Sequence, residues 1–307
     1  MSPEEKVPVE VEGRQLTLTN LGKVLYPETG FTKAQVIDYY LRVAPVLLPH
    51  LAGRALTLKR YPDGVDGEYF YAKHAPEHRP SWVPTARVPS PGSRSRGATV
   101  LYLVGGDLAT LIWTANLAGL ELHTPMWRLP YASQPDLLVF DLDPGPPATI
   151  VECCAVAQLL RPLLAERGIE PLAKTSGGKG LQLVAAISGL TSEEASGLAL
   201  DLAERVERAH PDLAVSRMTK TLRPGKVLID WSQNNAAKTT VTAYSLRAMA
   251  RPTVSTPVTW DEVSGCVQPG DLVFTSDDVL ERVARHGDLL APLAAVPRKR
   301  QTRKRQT

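Results

Sequence analysis

The chain has 307 residues, 43% hydrophobic and 22% charged, which supplies enough apolar material for a sizeable core and too little charge bias for disorder. No run of about 18 apolar residues occurs, and the opening MSPEEKVPVEVEG is acidic where a secretion signal would be basic and then apolar, so a soluble cytoplasmic protein with no membrane span is expected. The formal charge of +3 hides an asymmetry, because six of the 35 basic side chains sit in the last ten residues, and without them 29 bases face 32 acids.

In chain order, Thr32 and Gln35 form a capping box, after which Val36, Tyr39, Tyr40, Val43 and Leu47 recur at helical spacing until Pro49. PTARVPSPGSRSRG, from Pro84 to Gly97, has the composition of a mobile surface loop. Short apolar runs at Thr99 to Val104, Leu137 to Asp143, Leu181 to Ile187 and Val227 to Asp230 predict strands. A capping box at Thr149 and Glu152 opens a helix that Arg167-Gly168 closes, and another at Thr191 and Glu194 opens a helix ending near His210-Pro211. A last helix runs from about Asp277 to Gly287. Strands and helices alternate without a regular βαβ rhythm, which predicts an α+β fold with a mixed, largely antiparallel sheet. The organisation expected is one folded domain over 1–296 and a basic, disordered tail over 297–307 that can still hold a phosphate backbone. Cys153, Cys154 and Cys266 show no zinc-ligand spacing and read as small apolar residues in a reducing compartment.

The segment LLVFDLDPG carries the clearest chemistry. Side chains alternate along a strand, so Asp141 and Asp143 share one face while Leu138, Phe140 and Leu142 point to a core. Two such carboxylates repel one another unless a cation lies between them, and hard oxygen ligands suit magnesium or manganese. Two metals about 3.5–4 Å apart on such a pair serve in-line displacement at phosphorus. The same residues also suit a strand running out into an Asp-Pro-Gly turn. Asp230, ending VLID before WSQNN, supplies a third carboxylate in a similar position. Between them, KTSGGKGLQL offers glycines for close backbone approach to an anion, with Ser176 and Lys179 as donors, although a flexible hairpin has the same composition. It is not a Walker A loop, because Lys179 is followed by Gly180.

Six ordered blocks resemble the polymerase domain of bacterial multifunctional DNA ligase D and its stand-alone relatives in the archaeo-eukaryotic primase superfamily. They are LTNLGKVLYPETGFTK, KRYPDGVDGEYFYAK, LELHTPMWR, VFDLDPG, TSGGKGLQL and KVLIDWSQNNAAKTTVTAYSLR, spread over roughly 230 residues. The resemblance implies a two-lobed primase-polymerase fold and an active site in which Asp141, Asp143 and Asp230 bind two divalent ions, manganese-favoured or magnesium. It implies nucleotide contacts from His123, Ser176, Lys179, Gln182, Lys238 and Arg247, although His123 taken alone reads better as a core or strand histidine. Gln182 departs from the histidine common at that position, so it can donate to a phosphate oxygen without carrying charge.

For DNA, Phe70 and Tyr71 match paired aromatics over which a template base stacks, worth about 1–3 kcal/mol per base, and only one of two neighbours on a strand can face it. Alternating aromatics are also ordinary core residues. Lys59, Arg60 and Lys73 would add backbone contacts, and Arg223 matches a loop residue tied to primer and template placement. Asn20, Lys23 and Lys33 match a pocket for the 5'-phosphate downstream of a gap. Lys33 lies in a helical first turn, where unpaired N–H groups favour an anion, although it equally suits a lysine pointing into water. The activity implied is template-dependent nucleotide addition, preferring ribonucleotides, in gap filling during non-homologous end joining. A primer-independent primase and a non-catalytic DNA-end-binding module are the alternatives. Implied partners are gapped or broken DNA, nucleoside triphosphates, a Ku-like end binder and a separate DNA ligase, in a nucleoid-associated cytoplasmic setting.

Overall fold

The structure, a computed structural model, describes residues 6–89 and 98–294. The basic tail and most of the predicted loop therefore lie outside the described residues. The chain begins with a hairpin, β1 (Lys6–Val11) and β2 (Arg14–Thr19), and a second short pair, β3 (Val24–Tyr26) and β4 (Phe31–Thr32), leading into α1 (Lys33–Leu51). There follow β5 (Ala55–Arg60), β6 (Phe70–Ala72), β7 (Thr85–Pro89), β8 (Thr99–Val104), α2 (Leu108–Asn116) and β9 (Gly119–Thr124). The acid-bearing β10 (Leu137–Pro144) precedes α3 (Ile150–Ala165), β11 (Pro171–Thr175), β12 (Leu181–Ala186) and α4 (Ser192–Ala209). The chain then forms β13 (Ala214–Val215), β14 (Val227–Asp230), β15 (Thr240–Val241), β16 (Pro257–Val258), α5 (Trp260–Gly265), α6 (Ser276–His286) and α7 (Ala291–Ala294).

Each predicted helix start is fixed by its capping box. Thr32, Thr149 and Thr191 accept from the first turn while Gln35, Glu152 and Glu194 reach back to the cap. Helix α1 passes the expected stop at Pro49 and ends at Leu51. Pro45 and Pro49 lie on its exposed side, where the carbonyls that lose an N–H donor face water. The predicted loop is corrected at its start. Thr85–Pro89 pairs with β8 as β7, because Val88 buries against Ala55 and Trp127.

Two six-stranded sheets build the molecule, and the fold is α+β. One runs β13-β14-β10-β12-β11-β16, the other β15-β9-β5-β8-β7 with β6 paired to β5. Within both, among the described residues, only β13 and β14 run parallel. Leu138, Phe140 and Leu142 of β10 pack against Val156 and Leu160 of α3 and Leu202 of α4. The opposite face of β10 turns Val139 toward a second core built on α1, α2 and the other sheet. The period-two alternation thus puts an apolar core behind β10 and leaves its acids on the side facing the second sheet. All three cysteines are buried and unbridged. Among the described residues no helix is long and apolar enough to cross a membrane.

Candidate active site

Asp141 stands directly opposite Asp230 across the β10–β14 ladder and opposite Gln182 across β10–β12, and Gln182 in turn pairs with Lys174 of β11. Four polar residues thereby form one row across four strands, Asp230–Asp141–Gln182–Lys174, with Asp143 two residues along β10 on the same face. Like charges placed opposite one another destabilise a sheet. The cost appears in their protonation: burial, then Asp143 and Asp230, push the Asp141 carboxyl up to about 7, and burial with Asp230 raises Asp143. Gln182 Nε2 donates to Asp141 Oδ1 at 2.9 Å. Asp230 Oδ1 accepts from Ser232 N at 2.9 Å and Ser232 Oγ at 2.5 Å, and its Oδ2 from Gln233 Nε2 at 2.9 Å. Asp143 accepts no side-chain hydrogen bond among the described residues and opens to the cleft.

A cleft of about 620 Å³ lies over this row. Of the residues predicted from sequence, Asp141, Asp143, His123, Ser176, Lys179, Gln182, Lys238, Arg247, Tyr71 and Lys73 line it. Asp230 sits behind, held by Ser232 and Gln233. The glycine segment wraps Ser176: its Oγ accepts from Gly178 N at 3.2 Å and Gly180 N at 3.1 Å, and its carbonyl accepts from Arg247 Nη1 at 2.5 Å. Gly177 adopts φ +71°, and its carbonyl accepts from Thr253 Oγ1 at 2.6 Å. Lys179 is exposed at the rim, and Lys238 Nζ donates to Ser232 Oγ. Gln182 lines the cleft with its amide nitrogen turned to Asp141 and its Oε1 buried, without a partner among the described residues.

Two buried groups behind the cleft carry no sequence expectation. Glu121, 2% exposed, lies 2.9 Å from His123 Nε2 and 3.4 Å from Arg247 Nε. Burial alone would raise its carboxyl, but the His123 hydrogen bond and the charges of Arg247, His123 and Lys59 pull it down to about 2. Burial lowers His123, against the opposing pull of Glu121, so the ring favours its neutral form. The signal was available, because Glu121 and His123 stand at i and i+2 on one strand, the spacing that pairs Asp141 with Asp143. Lys174 has no carboxylate in hydrogen-bonding reach among the described residues. Its Nζ donates to Val241 O at 3.0 Å and Ser255 Oγ at 2.7 Å, and burial lowers it to about 7.

On the second sheet, Phe70 and Tyr71 are both exposed and face opposite sides of β6. The Tyr71 ring stands edge-on to His123, 5.9 Å away, whereas Phe70 carries Arg60 over its face at 4.9 Å. Lys59 stacks on Tyr69 at 4.0 Å and lies 3.8 Å from Glu121, and Arg60 Nε donates to Leu117 O at 2.8 Å. Arg223 lies near enough to lower Asp143, and its Nη2 donates to Met218 O at 2.6 Å.

Asn20, Lys23 and Lys33 meet away from the cleft, but the end of α1 does not offer the unpaired N–H groups expected there. The first-turn N–H groups of α1 are occupied, Lys33 N by Lys23 O at 2.8 Å, Ala34 N by Leu21 O at 2.9 Å and Gln35 N by Thr32 Oγ1 at 3.4 Å. The 20–23 turn, entered with Asn20 at φ +51°, folds over that helix end. Lys33 does not point into water either. It is 6% exposed, and its Nζ donates to Thr19 O at 2.6 Å. Lys23 Nζ pairs with exposed Asp63 at 2.8 Å.

The family described as LigD, primase-polymerase domain, matches residues 32–290. The multifunctional non-homologous end joining protein LigD of Mycolicibacterium smegmatis is 44% identical over 284 residues, 92% of this chain and 36% of that relative. The bifunctional LigD of Bacillus subtilis is 32% identical over 275 residues, 89% of this chain and 43% of that relative. The chain thus spans less than half the length of these curated relatives. The solved polymerase domain of Mycobacterium tuberculosis ligase D, in complex with DNA, matches with a TM-score of 0.84 at 42% identity, over 91% of this chain and 98% of that one.

Proposed function

The chain belongs to the LigD primase-polymerase domain family, and from that membership we propose that it is a template-dependent nucleotidyltransferase, preferring ribonucleotides, that fills short gaps at DNA breaks. The observation that carries this reading is the placement of Asp141 and Asp143 at the floor of a cleft whose rim holds Ser176, Lys179, Lys238 and Arg247. Acids beneath and cations above suit a polyanion bridged by metal.

The donor set is all carboxylate oxygen, which fits Mn²⁺ or Mg²⁺. Burial and mutual repulsion raise Asp141 and Asp143, and a divalent cation between them would relieve that repulsion. Among the described residues no three His, Cys, Asp or Glu side chains are grouped as metal ligands. Asp141 and Asp143 would therefore hold the ions first, and Asp230 would join by releasing Ser232 or Gln233. When bound, such ions lower the pKa of the attacking primer hydroxyl and neutralise charge on the triphosphate. Lys179, exposed at the rim, meets the triphosphate, and Arg247 ties that rim to the glycine loop through Ser176. Tyr71 offers a ring to a base in the cleft, and Phe70, on the far side of β6, offers one to the template.

The test is primer extension by purified protein on a gapped template, with ribonucleotides or deoxyribonucleotides and with manganese or magnesium. Extension with ribonucleotides favoured is expected, and no extension under any combination refutes the reading. A Ku-like end binder and a DNA ligase activity would complete the repair.

Gapped DNA carrying the downstream 5'-phosphate is expected to bind about tenfold more tightly than the same DNA without it, the worth of one charge-assisted hydrogen bond. Lys23, which can leave exposed Asp63, is the expected donor, so Lys23→Ala should remove most of that preference. Lys33→Ala should in addition lower thermal stability, because it strips a donor from Thr19. Equal affinity of the unmodified protein for both DNAs, in a titration at one moderate salt concentration, rules out the phosphate pocket.

A further inference from the structure

We propose that Glu121 is a positioning residue for nucleotide addition: it holds His123 as the tautomer with hydrogen on Nε2, leaves Nδ1 as an acceptor facing the cleft, and anchors Arg247 beside it. The proposal rests on the reading of the cleft as a nucleotide site.

Glu121 does not line the cleft, whereas His123 and Arg247 do. Its carboxylate therefore acts through them. Oε2 lies 2.9 Å from His123 Nε2 and 3.4 Å from Arg247 Nε, while Oε1 accepts from Ala248 N at 3.1 Å and lies 3.8 Å from Lys59 Nζ. An ionised carboxylate can only accept, so the hydrogen between Glu121 and His123 must sit on Nε2. The groups facing the pair are Lys59 and Arg247, both cations, with the Tyr71 ring edge-on to the imidazole. Their charges oppose protonation of His123, as burial does, which keeps the ring neutral and Nδ1 bare.

Burying a carboxylate in this strand costs desolvation that an apolar side chain would avoid, so a filling role alone does not account for it. What the charge provides is order: one carboxylate fixes an imidazole from β9 and a guanidinium from the segment after β15, both lining the cleft. The consequence for ligand chemistry is specific. His123 takes a hydrogen bond from a ligand hydroxyl or N–H, and does not contribute a positive charge to the triphosphate.

The full chain, labelled with ¹⁵N-histidine and free of metal and nucleotide, tests this by long-range ¹H–¹⁵N correlation near neutral pH, the His123 signals being assigned by their loss in His123→Gln. An Nε2–H tautomer is expected. An Nδ1–H tautomer, an even mixture, or an imidazolium at that pH overturns the proposal. Glu121→Gln keeps the shape and removes the charge, so the pH at which His123 titrates should fall and KM for nucleotide should rise about tenfold. Unchanged titration and unchanged KM, with only a lower Tm, would assign Glu121 a purely structural role and also overturn it. Because the tautomer is read without catalysis, a wild-type protein that adds no nucleotide refutes the polymerase reading separately.

Discussion

Asp141→Asn is expected to lower nucleotide addition on a gapped template by about a thousandfold or more, roughly 4 kcal/mol of transition-state stabilisation, while leaving DNA binding and the fold in place. Asp141 lies opposite Asp230 and shares its face with Asp143, so its loss removes the shared ligand of the row and leaves Asp143 with a capped partner. The fold has no need of the charge. Folded Asp141 titrates at about 7 against an ordinary 3.8, so between those values the native state binds a proton that the unfolded chain has released. The contribution of Asp141 to the stability of the metal-free protein should accordingly decline as pH rises from about 4 to 7, and Asp141→Asn should remove that contribution, so the difference between the two proteins carries the expected slope. Thermal melts of both proteins across this range, without metal, measure it. A correctly folded Asp141→Asn protein that still extends primers at near wild-type rate would remove Asp141 from the reaction.

The same residues show how far the sequence reaches. The alternation in LLVFDLDPG sends Leu138, Phe140 and Leu142 to a core and Asp141 and Asp143 to the other face, because a strand's period of two is a local property. Capping boxes are local too, and Thr32, Thr149 and Thr191 stand where predicted. Cross-strand register is not local. That Asp141 faces Asp230 on one side and Gln182 on the other depends on which strands pair, and no spacing in the chain encodes it.

For the same reason the sequence held no sign that Lys174 closes that row, or that a turn at Leu21 and Lys23 takes the first-turn N–H groups of α1. A helix end at Lys33 reads as bare in the sequence, and tertiary contact fills it. Gln182 illustrates the same limit. Its amide nitrogen donates to the acid that neighbours it across the ladder, a pairing that no spacing in the chain encodes.

Gly180→Ala should be severely damaging and Gly178→Ala nearly silent, although the two glycines stand two residues apart in one loop. A Cβ on Gly180 would lie 2.3 Å from the Leu142 carbonyl and 3.5 Å from Asp143 Oδ1, so the β12 end of the loop and the acid strand must move apart. Backbone atoms in a paired strand cannot yield as a side-chain tip can, and overpacking of this kind costs about 1–3 kcal/mol in stability. The loss of activity should exceed what that figure suggests. The displaced segment of β10 lies between Asp141 and Asp143, and the displaced loop also carries the Gly180 N–H that Ser176 Oγ holds at 3.1 Å. Acids and glycine loop would shift together, and KM for nucleotide is expected to rise and kcat to fall. At Gly178 the nearest atom to an added Cβ is Ser176 Oγ at 3.6 Å, an ordinary contact, and the backbone there needs no positive φ. Parallel kinetics and melts of the two variants measure the contrast. Equal activity in both would mean that the close packing of Gly180 on the acid strand does not set the geometry of the site.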